Sequence, residues 1–347
     1  MIIGIANIIG CKNTNGSGQP PLNIVPPSLS GSPVVGQILT CSDGTWTGTI
    51  PITFTYQWQR NGSDIIGEIS STYTLVQADA GTSVSCTVYA TNTVTTNSVS
   101  SDSLSIMDAN AQAFLTAAGI TDATISSATN SLVIGFKTNG IWNKMQAIYP
   151  LVGGTASTHK WNLKNPLDTD AAFRLVFNGG WTHTSNGIIA NGVNAFANSF
   201  LNASVTISNN GSIGIYVRTN INETAYDFTN IVGGTEQSVI SRWSTNLFYV
   251  NSGSATYPNA ANTDSRGLFS MCYNSKVLGY KNSTLLITEN KASTGANNTF
   301  KIGGTGFSNY SSKNYAFAYI ADELNATEIT SLYNYIQTFQ TTLGRQV

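Results

Sequence analysis

The sequence predicts a mainly β protein: two antiparallel sandwiches joined by a short helical segment, the second of jelly-roll type and closed by a C-terminal helix. Three observations carry this expectation. Short runs rich in Val, Ile, Thr, Tyr and Phe alternate with Asn-, Gly-, Ser- and Asp-rich turns at the spacing of sandwich strands. Cys41, Trp58 and Cys86 follow one another at separations that suit two cysteines facing across a pair of sheets with an indole between them. Near the C-terminus, a cap, an apolar stripe and a glycine stop occur together between Asn325 and Gly344.

Length and composition bound the rest. A chain of 347 residues is long enough for two or three domains with a sizeable core. Charged residues are 10% of it, against roughly 25% in an average soluble protein, while Ser, Thr, Asn and Gly fill about 150 positions. The surfaces are therefore neutral and rich in hydroxyls and amides. Sixteen basic and seventeen acidic residues, in no long run of either sign, argue against a nucleic-acid binder and against a polybasic membrane surface. The two histidines, His159 and His183, leave little room for metal or acid–base chemistry.

The chain begins with an apolar tip, Met1, Ile2, Ile3, Ile5, Ile8 and Ile9, too short to span a bilayer and without a basic residue before Lys12. It does not read as a secretory signal. Ile8, Ile9, Gly10 and Cys11 resemble a lipoprotein attachment box, but the charged start of such signals is missing. The tether 13–27 (NTNGSGQPPLNIVPP) joins flexible Gly-Ser to extended Pro-rich chain. Residues 1–27 are read as an anchor peptide that inserts into a neighbouring subunit, the alternative being a disordered start.

Residues 28–107 form the first sandwich, with strands expected at Gln37–Ser42, Phe54–Arg60, Thr72–Val76, Ser83–Ala90 and Ser98–Ile106. Residues 108–150 change to helical spacing: Ala111–Ala118 before Gly119, then Ile125, Ala128, Leu132 and Phe136 before Asn139-Gly140, then a third short helix over Ile141–Ala147. This connector is expected to pack on a neighbouring domain. From Leu151 to Val347, about eleven short strands return, among them Phe173–Phe177, Ser204–Ile207, Ser212–Arg218, Asp227–Val232, Ser238–Trp243, Leu247–Val250 and Tyr315–Ile320. The closing helix has Asn325 as cap, Glu328 three residues on, and one stripe from Ile329 through Leu332, Tyr333, Ile336 and Phe339 to Leu343.

Cys41, the YQWQRNG run at Tyr56–Gly62, the YTLVQADAG run at Tyr73–Gly81 and the SCTVYATN run resemble bacterial and phage immunoglobulin-like domains. One departure is Val84, standing where antibody domains place the corner tyrosine. The run YAFAYIADELNATEITSLYNYIQTF resembles the end of concanavalin A-like lectin domains of the laminin-G sort. Together with FLTAAGIT, HKWNLKNPLDTDAAFRLVFNGGWTH and FQTTLGRQV, these segments resemble structural proteins of tailed bacteriophages, fibre or decoration proteins of phages infecting Bacteroidota.

The immunoglobulin-like resemblance implies that Cys41 and Cys86 form a disulfide or a buried thiol pair around Trp58. For the second sandwich, Trp161, Trp181 and His183 are read either as core or as sugar-stacking contacts, with Asn162, Asn178 and Asn186 as hydrogen-bonding partners. Asp168, Asp170 and Asp322 are the candidate calcium ligands, and no other cofactor is expected. Enzymes on lectin-like sandwiches need two carboxyl groups flanking the scissile bond, and no Glu-x-Asp-x-x-Glu run is present. Gly303, Gly304 and Gly306 read as a hairpin turn rather than a nucleotide loop.

The expected function is a non-enzymatic virion component, in a capsid decoration, head fibre or tail fibre. Its N-terminus docks on other virion proteins and its sandwiches display adhesion domains for host or mucosal glycans. Such a protein is made in the host cytoplasm, released by lysis, and forms homo-oligomers, a trimer among the options. The alternatives are a glycan-processing enzyme on the lectin-like scaffold and a bacterial cell-surface adhesin.

Overall fold

The structure, a computed structural model, describes residues 18–207, 209–232, 234–253, 257–292 and 295–347. The expected anchor residues Met1, Ile2, Ile3, Ile5, Ile8 and Ile9, and with them Cys11, lie outside the described residues. Two compact units emerge, the first ending at Ile106 and the second running from Met107 to Val347.

In the first unit, strand Ile38–Cys41 alternates strictly, exposing Ile38 and Thr40 while burying Leu39 and Cys41. It pairs with Leu29–Ser30 and Thr72–Thr74, and the other sheet is built from Thr53–Arg60, Ser63–Asp64, Ser83–Thr91, Thr96–Ser100 and Leu104–Ser105. The two sheets share one core in which Trp58 stands directly across from Cys86. The Trp58 indole N–H donates to the Ser70 carbonyl at 2.8 Å, so burying it strands no donor. Cys41 and Cys86 are free thiols in hydrogen-bonding contact, which pulls Cys41 below the usual thiol range and pushes Cys86 above it.

The expected last strand, Ser98–Ile106, is broken. Ser101 still donates its N–H to the Cys86 carbonyl at 2.9 Å but accepts the Cys86 N–H on its hydroxyl, at 3.1 Å. At the corner where Val84 offers no phenol, Tyr73 donates to Asp79 at 2.9 Å, and the same carboxylate pairs with Arg60 at 2.7 Å.

The second unit has three layers. One sheet runs in the order Trp181–Thr184, Gly187–Ala190, Asn314–Ala321, Gly211–Val217, Gly267–Tyr273, Val277–Lys281, Thr284–Glu289, with Met145–Tyr149 also on Asn314–Ala321. The other runs Val176–Asn178, Phe196–Asn202, Thr299–Ile302, Phe228–Val232, Thr235–Trp243, Leu247–Ser252, Asn259–Ala261. Ile213, Ile215, Phe269, Met271 and Ile320 of the first sheet meet Phe228, Val239, Phe248, Val250 and Phe300 of the second. The central strands of the first sheet are apolar on both faces, because their alternate residues Tyr216, Leu268, Phe317 and Tyr319 pack under helices.

Those helices come from both ends of the unit. Ala109–Ala118 and Ala123–Thr138 begin at Asp108 and Asp122, whose side chains accept from Asn110 N and Ile125 N. The segment 108–150 thus joins the second unit through the same cluster as the closing helix, Ala326–Thr342. That helix starts on a reciprocal cap, Asn325 accepting from Glu328 N–H at 3.0 Å and Glu328 accepting from Asn325 N–H at 2.8 Å. Gly135 lets it approach, since a Cβ there would lie 2.3 Å from the Tyr335 ring.

Three local expectations of the second unit differ from the structure. Phe173–Phe177, read as a strand, opens with Phe173 at φ 60° after the turn Asp170–Ala172 and is a strand only from Val176. The third helix ends at Lys144, and Met145–Tyr149 is a strand paired with residues 318–321, where cross-strand bonding overrides a marginal helical pattern. Ser204–Ile207, read as a strand, is instead the turn of helix Ala203–Thr206, which the Asn202 side chain caps by accepting from Ser204 N.

Candidate functional site

The helical layer covers one sheet, and the seven-stranded sheet presents an outer face of its own. Its central hairpin places Val239 opposite Val250 toward the core, and the next pair, Ile240 and Tyr249, on the other face. A register shift between Ile240 and Trp243 inserts the extra residue that brings the indole onto the side of Ile240. Tyr226, just before Phe228–Val232, and Tyr257, just before Asn259–Ala261, close the group. With Asn309, these residues line a cavity of about 360 Å³.

Its aromatic walls meet edge to face in series: Tyr226 to Trp243 at 6.0 Å and 76°, Trp243 to Tyr249 at 6.3 Å and 78°, Tyr249 to Tyr257 at 6.5 Å and 84°. Behind them lies Glu236, 1% exposed. One of its oxygens accepts from the Tyr226 and Tyr257 hydroxyls at 3.2 and 3.1 Å, the other from Ser238 at 2.7 Å. Burial and the adjacent carboxylate raise both phenols above the usual tyrosine range, so they stay protonated donors. A second cavity of about 490 Å³ shares Tyr226 and Asn309 and is lined by Phe307, Val232 and the polar Asn297, Asn298, Thr305 and Ser308. Phe307 is 84% exposed, so the groove keeps an uncovered aromatic at its far end.

The aromatic residues singled out from sequence lie elsewhere. Trp161 packs against the helix-side core with Lys160 over its ring at 4.8 Å. Trp181 packs on the inner core, its indole N–H donating to the Asn178 carbonyl at 3.0 Å. His183 packs edge-on against Phe177 and faces buried His159, the two Nδ1 atoms 2.9 Å apart. Asn162 is fully buried, accepting from Ile148 N and donating to the Ala172 carbonyl. Asn178 bonds its side chain to the Val176 carbonyl, and Asn186 sits in an exposed turn.

The histidine pair has a consequence for stability. His159 Nε2 accepts the Gly154 N–H at 3.2 Å, which puts the ring proton on Nδ1 and makes His183 Nδ1 the acceptor. Burial, then His183 and Arg345, push His159 down to about 3, and burial lowers His183 as well. A base whose folded value is depressed contributes fully above its unfolded value, near 6.5, and loses that contribution as pH falls toward the folded value. The second unit is expected to melt progressively lower between pH 6.5 and pH 4, at up to about 1.4 kcal/mol per pH unit from His159, and the lowered His183 acts in the same direction. His159→Gln should flatten that slope; an unchanged slope in thermal melts would dismiss the pair as its source.

The expected calcium ligands do not fit a cation site. Asp168 pairs with Lys160 at 2.6 Å and Arg174 at 3.5 Å, Asp170 pairs with Arg174 at 3.0 Å, and Asp322 accepts from Gln146 at 2.9 Å. Among the described residues no three metal-ligating side chains converge. Glu223 and Asp227 do approach one another, but around Lys313, at 3.6 and 3.1 Å from its ammonium. No second carboxylate joins Glu236 among the described residues lining the aromatic cavity.

The second unit is a mainly β sandwich of two packed sheets with few helices, one of them C-terminal. No family model matches the sequence, and no curated protein does either. Solved structures similar to it include domain 4 of AbnA, a GH43 extracellular arabinanase from Geobacillus stearothermophilus in complex with arabinotriose, at 14% identity and TM-score 0.39, covering 55% of this chain and 98% of that one. A Trypanosoma rangeli sialidase aligns at 11% identity and TM-score 0.40, over 88% of this chain and 61% of its own. The binding domain of botulinum neurotoxin DC in complex with SialylT aligns at 12% and 0.35, over 48% of this chain and 47% of its own. At such scores these similarities carry no functional argument.

Proposed function

We propose that the chain is a non-enzymatic structural protein of a phage virion whose second unit binds glycans of a host or mucosal surface in the groove on its seven-stranded sheet. The groove carries this reading: aromatic walls from Trp243, Tyr226, Tyr249 and Tyr257 beside a cavity edged by neutral amides and hydroxyls. Aromatic faces cover the apolar C–H face of a pyranose, while Asn and Ser side chains match its hydroxyls. The virion part rests on the phage-like segments of the sequence. Binding without cleavage is favoured because the described residues of the aromatic cavity are backed by one carboxylate, where glycosidic hydrolysis uses two.

The test is glycan-array and titration binding with the full chain against Trp243→Ala. Truncating a central tryptophan of a binding patch costs about 2 kcal/mol or more, so affinity is expected to fall roughly thirtyfold, with no reducing ends released from capsular polysaccharide or mucin glycans. Undiminished binding by Trp243→Ala would remove the groove from the reading, and released reducing ends would favour an enzyme.

A further inference from the structure

The cavity is a cage more than a platform. Successive walls stand at 76°, 78° and 84° to one another, so they enclose a compact group rather than offering one flat face to a ring. The charge behind the walls points to the kind of group. Glu236 is 1% exposed, and its only partners among the described residues are hydroxyl donors: none of the ion pairs there includes it. None of the lysine and arginine groups stacked on rings among the described residues lies over Trp243, Tyr226, Tyr249 or Tyr257.

A buried carboxylate without a cation of its own gains most from a cation supplied from outside. Its hydrogen bonds from the Tyr226 and Tyr257 hydroxyls also push electron density into those two rings. That deepens the negative potential of the ring faces, which attracts an ammonium group. Tyr257 is 43% exposed, leaving a wall at which such a group can enter.

We propose that this cage takes an organic ammonium group carried by the bound glycan, either a protonated amino sugar or a quaternary ammonium substituent. The inference rests on the groove being the glycan site. Glu236 acts through the tyrosines as a positioning and electrostatic group, while Trp243, Tyr226, Tyr249 and Tyr257 touch the ligand. The neighbouring cavity, with Asn297, Asn298, Thr305 and Ser308, is left for uncharged sugar units of the same chain.

The experiment is calorimetric titration at pH 6 of the full chain with four probes: a glucosamine tetramer, its fully N-acetylated counterpart, choline and tetramethylammonium. The glucosamine tetramer is expected to bind at least about tenfold more tightly than the acetylated one, a difference that one desolvated cation–π contact supplies, and choline should compete with it. Tighter choline than glucosamine binding would assign the quaternary substituent; the reverse order would assign the amino sugar. Glu236→Gln should cost the cationic probes about tenfold and leave neutral glycans unchanged, and Trp243→Phe, which keeps an aromatic wall, should retain most affinity if the fold is intact by thermal melt.

Equal binding of the acetylated and free tetramers without binding of choline or tetramethylammonium, an equal effect of Glu236→Gln on charged and neutral ligands, or no binding of any cationic probe at millimolar concentration would overturn the cation assignment. Neutral glycans that still bind and still depend on Trp243 would then leave the groove reading standing. Loss of both readings would show as glycan binding that Trp243→Ala does not change.

Discussion

Asp227→Asn is expected to destabilise the second unit by about 3–5 kcal/mol, the usual cost of removing one partner from a buried ion pair. Asp227 and Lys313 are both fully buried, 3.1 Å apart. The carboxylate also accepts from the Tyr315 hydroxyl at 2.7 Å and from the Ser241 N–H and hydroxyl at 2.6 and 2.7 Å, which leaves none of its oxygens unsatisfied. An asparagine amide would present an N–H₂ group to donors on one side and withdraw the charge that neutralises Lys313. Glu223 stands 3.6 Å from the same ammonium but is already engaged by Ser311 and Ser312.

For a unit of this size each kcal/mol moves the midpoint by roughly 2–4 °C, so a fall of about 10 °C is the expected readout in calorimetry. Coupling Asp227→Asn to Lys313→Met should recover much of the loss, because the stranded ammonium goes with its partner. A single variant that melts like the parent would show that Lys313 finds a substitute partner in Glu223.

These buried polar groups explain which parts of the molecule were legible in its sequence. Alternation in Ile38–Cys41 and the Trp58–Cys86 pairing are local consequences of period-two burial, and the capping signals of Ala326–Thr342 lie within one turn of one another. The aromatic cage was not legible. Its members span residues 226 to 257 on four separate segments, and strict alternation places Trp243 on the face opposite Ile240. Only the irregularity between Ile240 and Trp243 corrects that parity, and no residue type in the intervening Ser241 and Arg242 announces it. Trp161, Trp181 and His183 cluster in sequence among Asn and Gly, the pattern of an exposed polar site, yet Trp161 packs on the helix-side core, Trp181 on the inner core and His183 against Phe177 and His159. The helices 109–144 were readable as helices; that they cover a sheet follows from Tyr216, Leu268 and Phe317, whose outward faces look like ordinary buried-strand residues until the helices are placed on them.

Arg345→Met should cost the second unit about 2–4 kcal/mol, in line with removing several hydrogen bonds from buried acceptors. Arg345 is 1% exposed, and its guanidinium makes no ion pair among the described residues. Its stabilisation comes from dipoles. Nε donates to Gln340 at 2.9 Å, Nη1 to the Leu151 carbonyl at 2.8 Å, and Nη2 to the Pro150 and Ala316 carbonyls, both at 3.1 Å. The group also lies 5.7 Å from the Phe339 ring centroid. Burial, with Arg218 nearby, holds the guanidinium down to about 9, a measure of how far it has left water.

The chain can deliver it there because Gly344, at φ 65°, turns out of the closing helix and lets the Arg345 N–H bond back to the Gln340 carbonyl at 2.8 Å. Methionine fills the aliphatic volume but takes the Arg345 donors from the carbonyls of Pro150 and Leu151, while Ala316 keeps the Gln340 amide, and a midpoint drop of about 5–15 °C is expected. Arg345→Lys separates charge from geometry: an ammonium keeps the charge but has no planar fork to reach carbonyls on several sides. If lysine melts with the arginine protein, charge alone suffices; if it melts with methionine, the fork itself joins the closing helix to residues 150–151 and 316.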